Sequence, residues 1–230
     1  MLSANDIKQK VGEQAAQLIK PGMTAGIGTG STAYWLLMAL GKKVQEGLAI
    51  RCVPTSRETA RLAAAQHIPL VELNDTAAID ITIDGADEID PQGQLIKGGG
   101  GALLQEKMVA AASRQLVIIA DHTKLVQQLG AFPLPVEVIP FGWKQVQRRI
   151  REIYHVDSNL RLKDNQPLIT DHGHYILDCH FGQIPDAFTL NITLNTMPGV
   201  VDNGLFIRMA TSTIIGYPDG TIRQSAIVSE

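Results

Sequence analysis

Three stretches of the sequence hold residue types that can do chemistry together. "DGADEID" sets four acids, Asp84, Asp87, Glu88 and Asp90, at the end of the apolar stretch from Ile79 to Ile83. "KGGGGALLQEK" places Lys97 before a run of consecutive glycines, Gly98, Gly99, Gly100 and Gly101, with Glu106 further on. "GIGTGSTA", Gly26 to Ala33, combines glycines with the hydroxyls of Thr29, Ser31 and Thr32. Carboxylates crowded at the end of a buried strand repel one another, so they are either a solvated turn or part of a site that uses them. A carboxylate can take a carbon-bound proton beside a carbonyl, while a lysine and glycine N–H groups stabilise the oxyanion that develops. Close carboxylates raise one another's pKa, so one of them can stay protonated as the acid. This chemistry requires no metal if Lys97 and the glycine amides carry the electrostatic load, and no cofactor is expected.

The "GIGTGSTA" stretch lies between an expected strand and an expected helix. Glycines let backbone amides approach an anion, and a helix start adds unpaired N–H groups and the positive end of the helix dipole. A phosphate is the natural guest, and a phosphosugar suits it. A dinucleotide fits less well: Ser31 stands where a G-x-G-x-x-G pattern wants glycine, and the next strand ends in Cys52, Val53 and Pro54 rather than an acid for the ribose. The bland alternative is a glycine-rich strand-to-helix turn with no ligand. In the second run each ordered glycine costs roughly 0.5–1 kcal/mol relative to alanine. Close approach of backbone to a ligand explains the run better than a loose loop does.

These residues need a frame. "SANDIKQKVGEQAAQLI" reads as a helix, opened by a capping box of Ser3 and Asp6 and striped by Ile7, Val11, Ala15 and Leu18. "MTAGIG" reads as a strand, Ser31 to Val44 as a helix, "LAIRCVP" as a strand, and "SRETARLAAAQH" as a helix with Ser56 at its N-cap. Further strands are expected at Leu70 to Leu73, Ile79 to Asp84 and "QLVIIAD", with a helix from Ala102 to Ser113. This alternation predicts an α/β fold, a Rossmann-like domain on a parallel sheet, whose ligands bind at the carboxyl ends of the strands. Three prolines in "FPLPVEVIPFGW" mark a boundary. Beyond it come a strand from Val136 to Ile139, a basic amphipathic helix from Trp143 to Tyr154, and a hairpin-like pair around "DHGH". A helix from Asp186 to Asn195 and a strand after "MPGVV" complete a split β-α-β layer, a smaller ferredoxin-like α+β domain. The tail "TSTIIGYPDGTIRQ" reads as a hairpin that rejoins the first domain. The expected division is therefore residues 1–131 and 204–230 for the Rossmann-like catalytic domain, with 132–203 inserted.

Composition limits the function classes. With 45% hydrophobic and 19% charged residues the chain is globular, and a net charge of -3 without a basic block argues against a nucleic-acid partner. No apolar run reaches membrane-spanning length, and "MLSANDIKQK" lacks a signal-peptide core, so a cytoplasmic protein is expected. Cys52 and Cys179 are expected as reduced, mostly buried thiols. The cluster His172, His174, Cys179 and His180 invites a metal reading. Gly173 breaks it and strand alternation parts Cys179 from His180, so a polar hairpin is preferred. His122 follows Asp121 and is a candidate site-lining residue. Arg57 reads as a surface residue of its helix or as a mobile substrate contact. Trp35 and Met38 read as core rather than cofactor contacts.

"GIGTGSTA", "DGADEID", "KGGGGALLQEK", "ADHTKLV" and "FPLPVEV", in this order, resemble ribose-5-phosphate isomerase of the A type, with "MPGVVDNGLF" and "GYPDG" as later echoes. The resemblance runs from about Gly26 onward. It implies interconversion of ribose 5-phosphate and ribulose 5-phosphate through a cis-enediolate, without metal, in the non-oxidative branch of the pentose phosphate pathway. It implies Glu106 as the base that moves a proton between C2 and C1, and Asp84 as the carboxylate that helps open the furanose ring. Asp87 and Lys97 match the substrate-binding and oxyanion-stabilising partners, and Lys124 a further substrate-binding lysine. Thr29, Gly30, Ser31 and Thr32 match the phosphate loop. Backbone at Gly85, Ala86, Gly98, Gly99 and Gly100 completes the candidate set. Lys8 matches an N-terminal lysine near the phosphate. A homodimer is implied, in some members a dimer of dimers. Two other readings stay open: a non-catalytic sugar-phosphate sensor, for which the stretch before Gly26 is short of a helix-turn-helix, and an aminosugar-phosphate deaminase, which shares a glycine-threonine loop.

Overall fold

A computed structural model describes residues 1–227; positions 228–230, counted with the first domain in the expected division, lie outside the described residues. In chain order the helices are α1 (Ala4–Ala15), α2 (Ser31–Gln45), α3 (Arg57–Ala65), α4 (Leu103–Ala111), α5 (Trp143–Tyr154) and α6 (Ala187–Asn195). The strands are β1 (Thr24–Ile27), β2 (Arg51–Pro54), β3 (Ile81–Asp84), β4 (Glu88–Ile89), β5 (Leu95–Ile96), β6 (Leu116–Asp121), β7 (Leu134–Val138) and β8 (Ser158–Leu160). They continue with β9 (Leu162–Lys163), β10 (Gln166–Pro167), β11 (Tyr175–Cys179), β12 (Val200–Asn203), β13 (Leu205–Phe206), β14 (Ser212–Gly216) and β15 (Ile222–Ala226). The chain divides into two compact units, one of Met1–Ala86, Gln105–Lys124 and Met209 onward, the other of Asp87–Leu104 and Leu125–Arg208.

The first unit is built on a six-stranded sheet in the order β15-β14-β6-β3-β1-β2. Its strands are parallel except β15, which returns antiparallel to β14 as the tail hairpin. Four strands, β1, β3, β6 and β14, are buried along nearly their whole length, as a parallel sheet covered on both faces requires. Ile7, Val11, Leu36, Leu37, Leu40, Ile27, Ile83 and Ile119 share one core. Ser3 caps α1 with the reciprocal Asp6 bond of a capping box. The helix stops at Ala15, short of the expected run through Leu18 and Ile19, because tighter bonds from Gln17 to Gln14 and Leu18 to Ala15 close it. The strand expected at Leu70 to Leu73 shrinks to one bridge, Cys52 with Leu70, followed by a 3-10 turn at Leu73–Asp75. Pro69 has no N–H to offer a ladder there, so pairing ends after one exchange with Cys52.

The second unit contains a four-stranded antiparallel sheet in the order β12-β7-β11-β8. With α5 between β7 and β8 and α6 between β11 and β12, this is the split β-α-β layer of a ferredoxin-like fold. Its core gathers Leu134, Val136, Val138, Val146, Ile150, Leu177 and Leu194. "DHGH" is not the apex of a simple hairpin. It lies in a turn, Thr170 N–H to His174 C=O at 2.9 Å, that leads into β11, and the small hairpin is β9–β10. A three-stranded sheet, β13-β5-β4, completes the unit. Residues Asp87–Leu104 thus group with the second unit, whereas the sequence division placed them in the first. The pairing of β5 with β13 joins them to a segment far along the chain.

Candidate active site

The carboxyl ends of β1 and β3 lie side by side, with Ile27 opposite Ile83, so the residues after each share one sheet edge. Gly28 follows β1 there. A Cβ on Gly28 would overlap the Asp84 carboxylate and come within 2.6 Å of the Asp84 Cα, so only glycine permits this approach. Asp84 ends β3 buried, and its Oδ1 accepts from Gly85 N–H at 2.7 Å and Thr29 N–H at 3.2 Å. The turn then enters α2 through Gly30, whose φ of 119° suits glycine and whose position offers no side-chain cap. Among the described residues no side chain caps the first-turn amides of α2, which stand beside the exposed hydroxyl of Ser31 and the buried one of Thr32 and can take another acceptor.

The Thr29 hydroxyl has a different fate from the one its motif suggests. It joins a knot of hydroxyls, 2.9 Å from Thr55 Oγ1, 2.8 Å from Ser56 Oγ and 3.0 Å from Thr59 Oγ1. Thr59 in turn donates to Gly28 C=O at 3.0 Å, and Ser56 accepts from Thr59 N–H as the N-cap of α3. The loop's shape is thus fixed from α3. No sequence signal beyond the Ser56 cap pointed to Thr55 or Thr59. Arg57 sits exposed in the first turn of α3.

Glu106 is buried in the first turn of α4. Its neighbour Gln105 donates to Pro54 C=O at the carboxyl end of β2 at 2.9 Å. One turn further on, Val109 packs with Val53 and Ile79, and a Cβ on Gly26 would lie 2.7 Å from Val109 Cγ1. Glu106 and Val109 share a helix face, so Glu106 belongs to the stripe that packs on the sheet, on the side toward the strand ends. At the end of β6, Asp121 is buried and accepts from the Thr123 amide at 3.0 Å and from the Thr123 hydroxyl. Burial alone would raise its carboxyl. The two Thr123 bonds and the charges of Lys124 and Lys8 outweigh that and hold it below the usual range. Lys124 and Lys8 therefore stand near one carboxylate at this edge. Asp121, the last residue of a continuous apolar strand, is a buried carboxylate at this edge that the sequence reading does not single out. The next residue, His122, is half-buried, with its ring 5.8 Å from that of Tyr217.

The remaining candidates lie in the second unit. Asp87 Oδ2 accepts from Gly99 N–H at 2.8 Å, and a Cβ on Gly99 would meet Asp87 Oδ1 at 2.7 Å. Lys97 is buried with its Nζ 5.2 Å from the centre of the Phe206 ring. Gly98 has φ of 107° and Gly101 of 82°, and a Cβ on Gly98 would lie 2.9 Å from Leu103 Cβ. Gly98 is buried, and Gly99 and Gly100 are exposed. The other two acids of "DGADEID" serve the fold. Glu88 accepts from Gly130 and Phe132 N–H groups, and Asp90 closes a turn by accepting from Gln92 and Gln94. The histidine cluster is dispersed among local partners. His174 Nδ1 is 2.9 Å from Glu137 Oε1, His180 Nε2 is 3.0 Å from Asn159, and Cys179 is buried. Among the described residues no three His, Cys, Asp or Glu side chains gather as a metal site, and no helix is long and apolar enough to cross a membrane.

An uncapped helix start and buried carboxylates meet at one parallel-sheet edge of this α/β protein, an arrangement chemically suited to an anion beside acid–base groups. The family model of ribose 5-phosphate isomerase A (phosphoriboisomerase A) matches residues 51–220. Ribose-5-phosphate isomerase A of Bacillus mycoides is 52% identical over 216 residues, covering 94% of this chain and 97% of that protein. The protein of that name from Parvibaculum lavamentivorans is 51% identical over 226 residues, covering 96% and 98%. Among solved structures, ribose 5-phosphate isomerase A of Methanocaldococcus jannaschii superposes with a TM-score of 0.92 at 40% identity, covering 97% of this chain and 100% of that one. A D-ribose-5-phosphate isomerase in complex with phospho-erythronic acid gives 0.94 at 36% identity, covering 98% and 100%. The chain belongs to the ribose 5-phosphate isomerase A family and is an isomerase.

Proposed function

We propose that this isomerase interconverts D-ribose 5-phosphate and D-ribulose 5-phosphate through a cis-enediolate, without a metal ion. The observation that carries the reading is the Thr29–Asp84 bond, which ties a buried carboxylate to the turn that opens α2. A phosphate on the α2 amides and the Ser31 and Thr32 hydroxyls would set the sugar's length from Asp84 by the substrate's own carbon chain. Asp84 assists ring opening. Glu106 takes the proton from C2 and returns it to C1, and Lys97 with the glycine-run amides stabilises the enediolate oxygens. Asp87 and Lys124 bind substrate, as do the backbones of Gly85 and Ala86. Lys8, placed near Asp121 with Lys124, adds positive charge on the phosphate side. We place the reaction in the non-oxidative branch of the pentose phosphate pathway, in the cytoplasm, with the chain acting as a homodimer or a dimer of dimers. The family match of an isomerase over most of the chain favours catalysis over a sugar-phosphate sensor.

The test is deuterium incorporation at C2 of ribose 5-phosphate in heavy water with a chelator present. Wild type exchanges, and Glu106→Gln loses exchange and turnover by at least roughly a thousandfold, on the scale of losing a general base with its position kept. Wild-type exchange by the Glu106→Gln protein sinks the assignment, as does activity that disappears only when a divalent ion is stripped.

A further inference from the structure

The glycine run has a partner that neither the motif nor the reaction assigns. Arg161, between β8 and β9, sends Nη1 to Gly98 C=O at 2.6 Å and to Gly99 C=O at 3.1 Å. The other side of the guanidinium is held by Asp178 of β11, through Nε to Oδ2 at 2.9 Å and Nη2 to Oδ1. Both side chains are largely buried, 12% and 22% exposed, so the pair is a fixed fork rather than a surface contact. We propose that the Arg161–Asp178 pair is a positioning device that sets the peptide planes of the glycine run, holding the Gly99 N–H on Asp87 and aiming the Gly100 amide for the reaction.

The argument is peptide geometry. In a trans peptide the carbonyl and the following N–H point in opposite directions. Drawing Gly98 C=O to Arg161 turns Gly99 N–H away from it, and that N–H is found on Asp87 Oδ2. Drawing Gly99 C=O to the same guanidinium turns Gly100 N–H away as well. Without side chains of their own, Gly98, Gly99 and Gly100 carry little intrinsic preference for one peptide orientation. An external clamp supplies it. A lysine at 161 would keep the charge but could not hold Asp178 with two donors and the carbonyls with a third.

This inference rests on the isomerase reading, in which the Gly100 amide faces the enediolate and Asp87, held by Gly99, binds substrate. Steady-state kinetics of Arg161→Ala, Arg161→Lys and Asp178→Asn on ribose 5-phosphate test it, with Glu106→Gln measured alongside. A misaimed donor costs turnover rather than ground-state binding, so kcat of Arg161→Ala falls about a hundredfold while KM stays within about threefold. Inhibition by phospho-erythronic acid, whose carboxylate imitates the enediolate charge, weakens in step with kcat. Millimolar guanidinium restores part of the Arg161→Ala activity and none of that of Glu106→Gln. Wild-type kcat in folded Arg161→Ala, or a rise in KM at unchanged kcat, overturns the proposal. If Arg161→Ala does not fold, Arg161→Lys decides: kcat at the wild-type level overturns the clamp, and kcat reduced with KM held supports it. Inactive Glu106→Gln beside wild-type-like Arg161 variants removes the clamp and leaves the isomerase reading standing. An active Glu106→Gln removes the base assignment instead.

Discussion

Replacing Glu88 by alanine isolates the structural half of the acid cluster. Glu88 is 3% exposed, and its two oxygens accept from Gly130 N–H at 2.7 Å and Phe132 N–H at 2.6 Å. Both bonds are short and charge-assisted. Gly130 is buried and Phe132 only half so, which means water can replace one lost partner more readily than the other. A buried donor left unsatisfied costs roughly 1–3 kcal/mol, and a bond to a charged group contributes about 1.5–3 kcal/mol. Charging the Gly130 site near the top of that range and the Phe132 site near the bottom gives about 3–4 kcal/mol for Glu88→Ala. Glu88→Gln keeps one acceptor but turns an NH2 group against the other N–H, so about 2 kcal/mol is expected. Urea unfolding at one fixed protein concentration, followed by two spectroscopic probes, measures both, because association would otherwise shift the midpoint. A loss under about 1 kcal/mol for alanine, or a glutamine variant as stable as wild type, would show that these amides find other acceptors and that the loop does not depend on Glu88.

Three further outcomes follow from the geometry. Gly28→Ala forces a Cβ onto the Asp84 backbone, which no rotamer change relieves; thermal melting should report about 1–3 kcal/mol of destabilisation, with turnover falling further than stability alone explains, and a wild-type profile in both assays would contradict it. Burial pushes the Cys52 thiol up to about 12, and burial with the nearby Asp178 charge pushes Cys179 up to about 12. Because these folded values exceed the unfolded ones, the stabilisation is complete below about pH 9 and is lost between there and about pH 12, at up to roughly 1.4 kcal/mol per pH unit per thiol. The Cys52→Ala/Cys179→Ala protein should therefore lose stability less steeply than wild type between pH 9 and 10.5 in urea titrations, and equal slopes would refute it. Asp121, held below its ordinary value, stabilises the fold above that value and loses the contribution as pH falls through the folded pKa. Lys124→Met removes one of the charges that hold it down, so its carboxyl titration, read by carbon NMR, should move upward; an unmoved titration would place Lys124 elsewhere.

Much of the frame was legible because its signals are local. The α5 helix spans Trp143–Tyr154 as its amphipathic spacing predicts, the Ser3 and Ser56 caps sit where hydroxyls precede apolar periodicity, and "LVIIAD" is wholly buried. The turn that opens α2 was legible for the same reason, since its glycine and hydroxyl residues mark a strand-to-helix junction within eight positions. Strands of two residues, such as β4, β5 and β13, carry no period to read, and their partners are set by pairing across the chain. Arg161 meets Gly98 across 63 positions, and Glu88 meets Gly130 across 42, so neither pair leaves a local trace.

Within "DGADEID" the same limit takes its sharpest form, because four chemically alike side chains have separate uses. Asp84 still belongs to β3 and points its carboxylate at the Thr29 amide. Asp87 is drawn to the glycine run, Glu88 to the Gly130 loop, and Asp90 back onto its own turn. Successive residues of an extended chain point to opposite faces, so the one-position step from Asp87 to Glu88 is enough to send one carboxylate to the glycines and its neighbour to a buried loop. Asp84, Glu88 and Asp90 accept from two backbone amides each and Asp87 accepts from Gly99, and this is how the chain holds so many carboxylates in so few positions. The repulsion that composition alone predicts is relieved by separating the charges onto different backbone donors before any substrate is present.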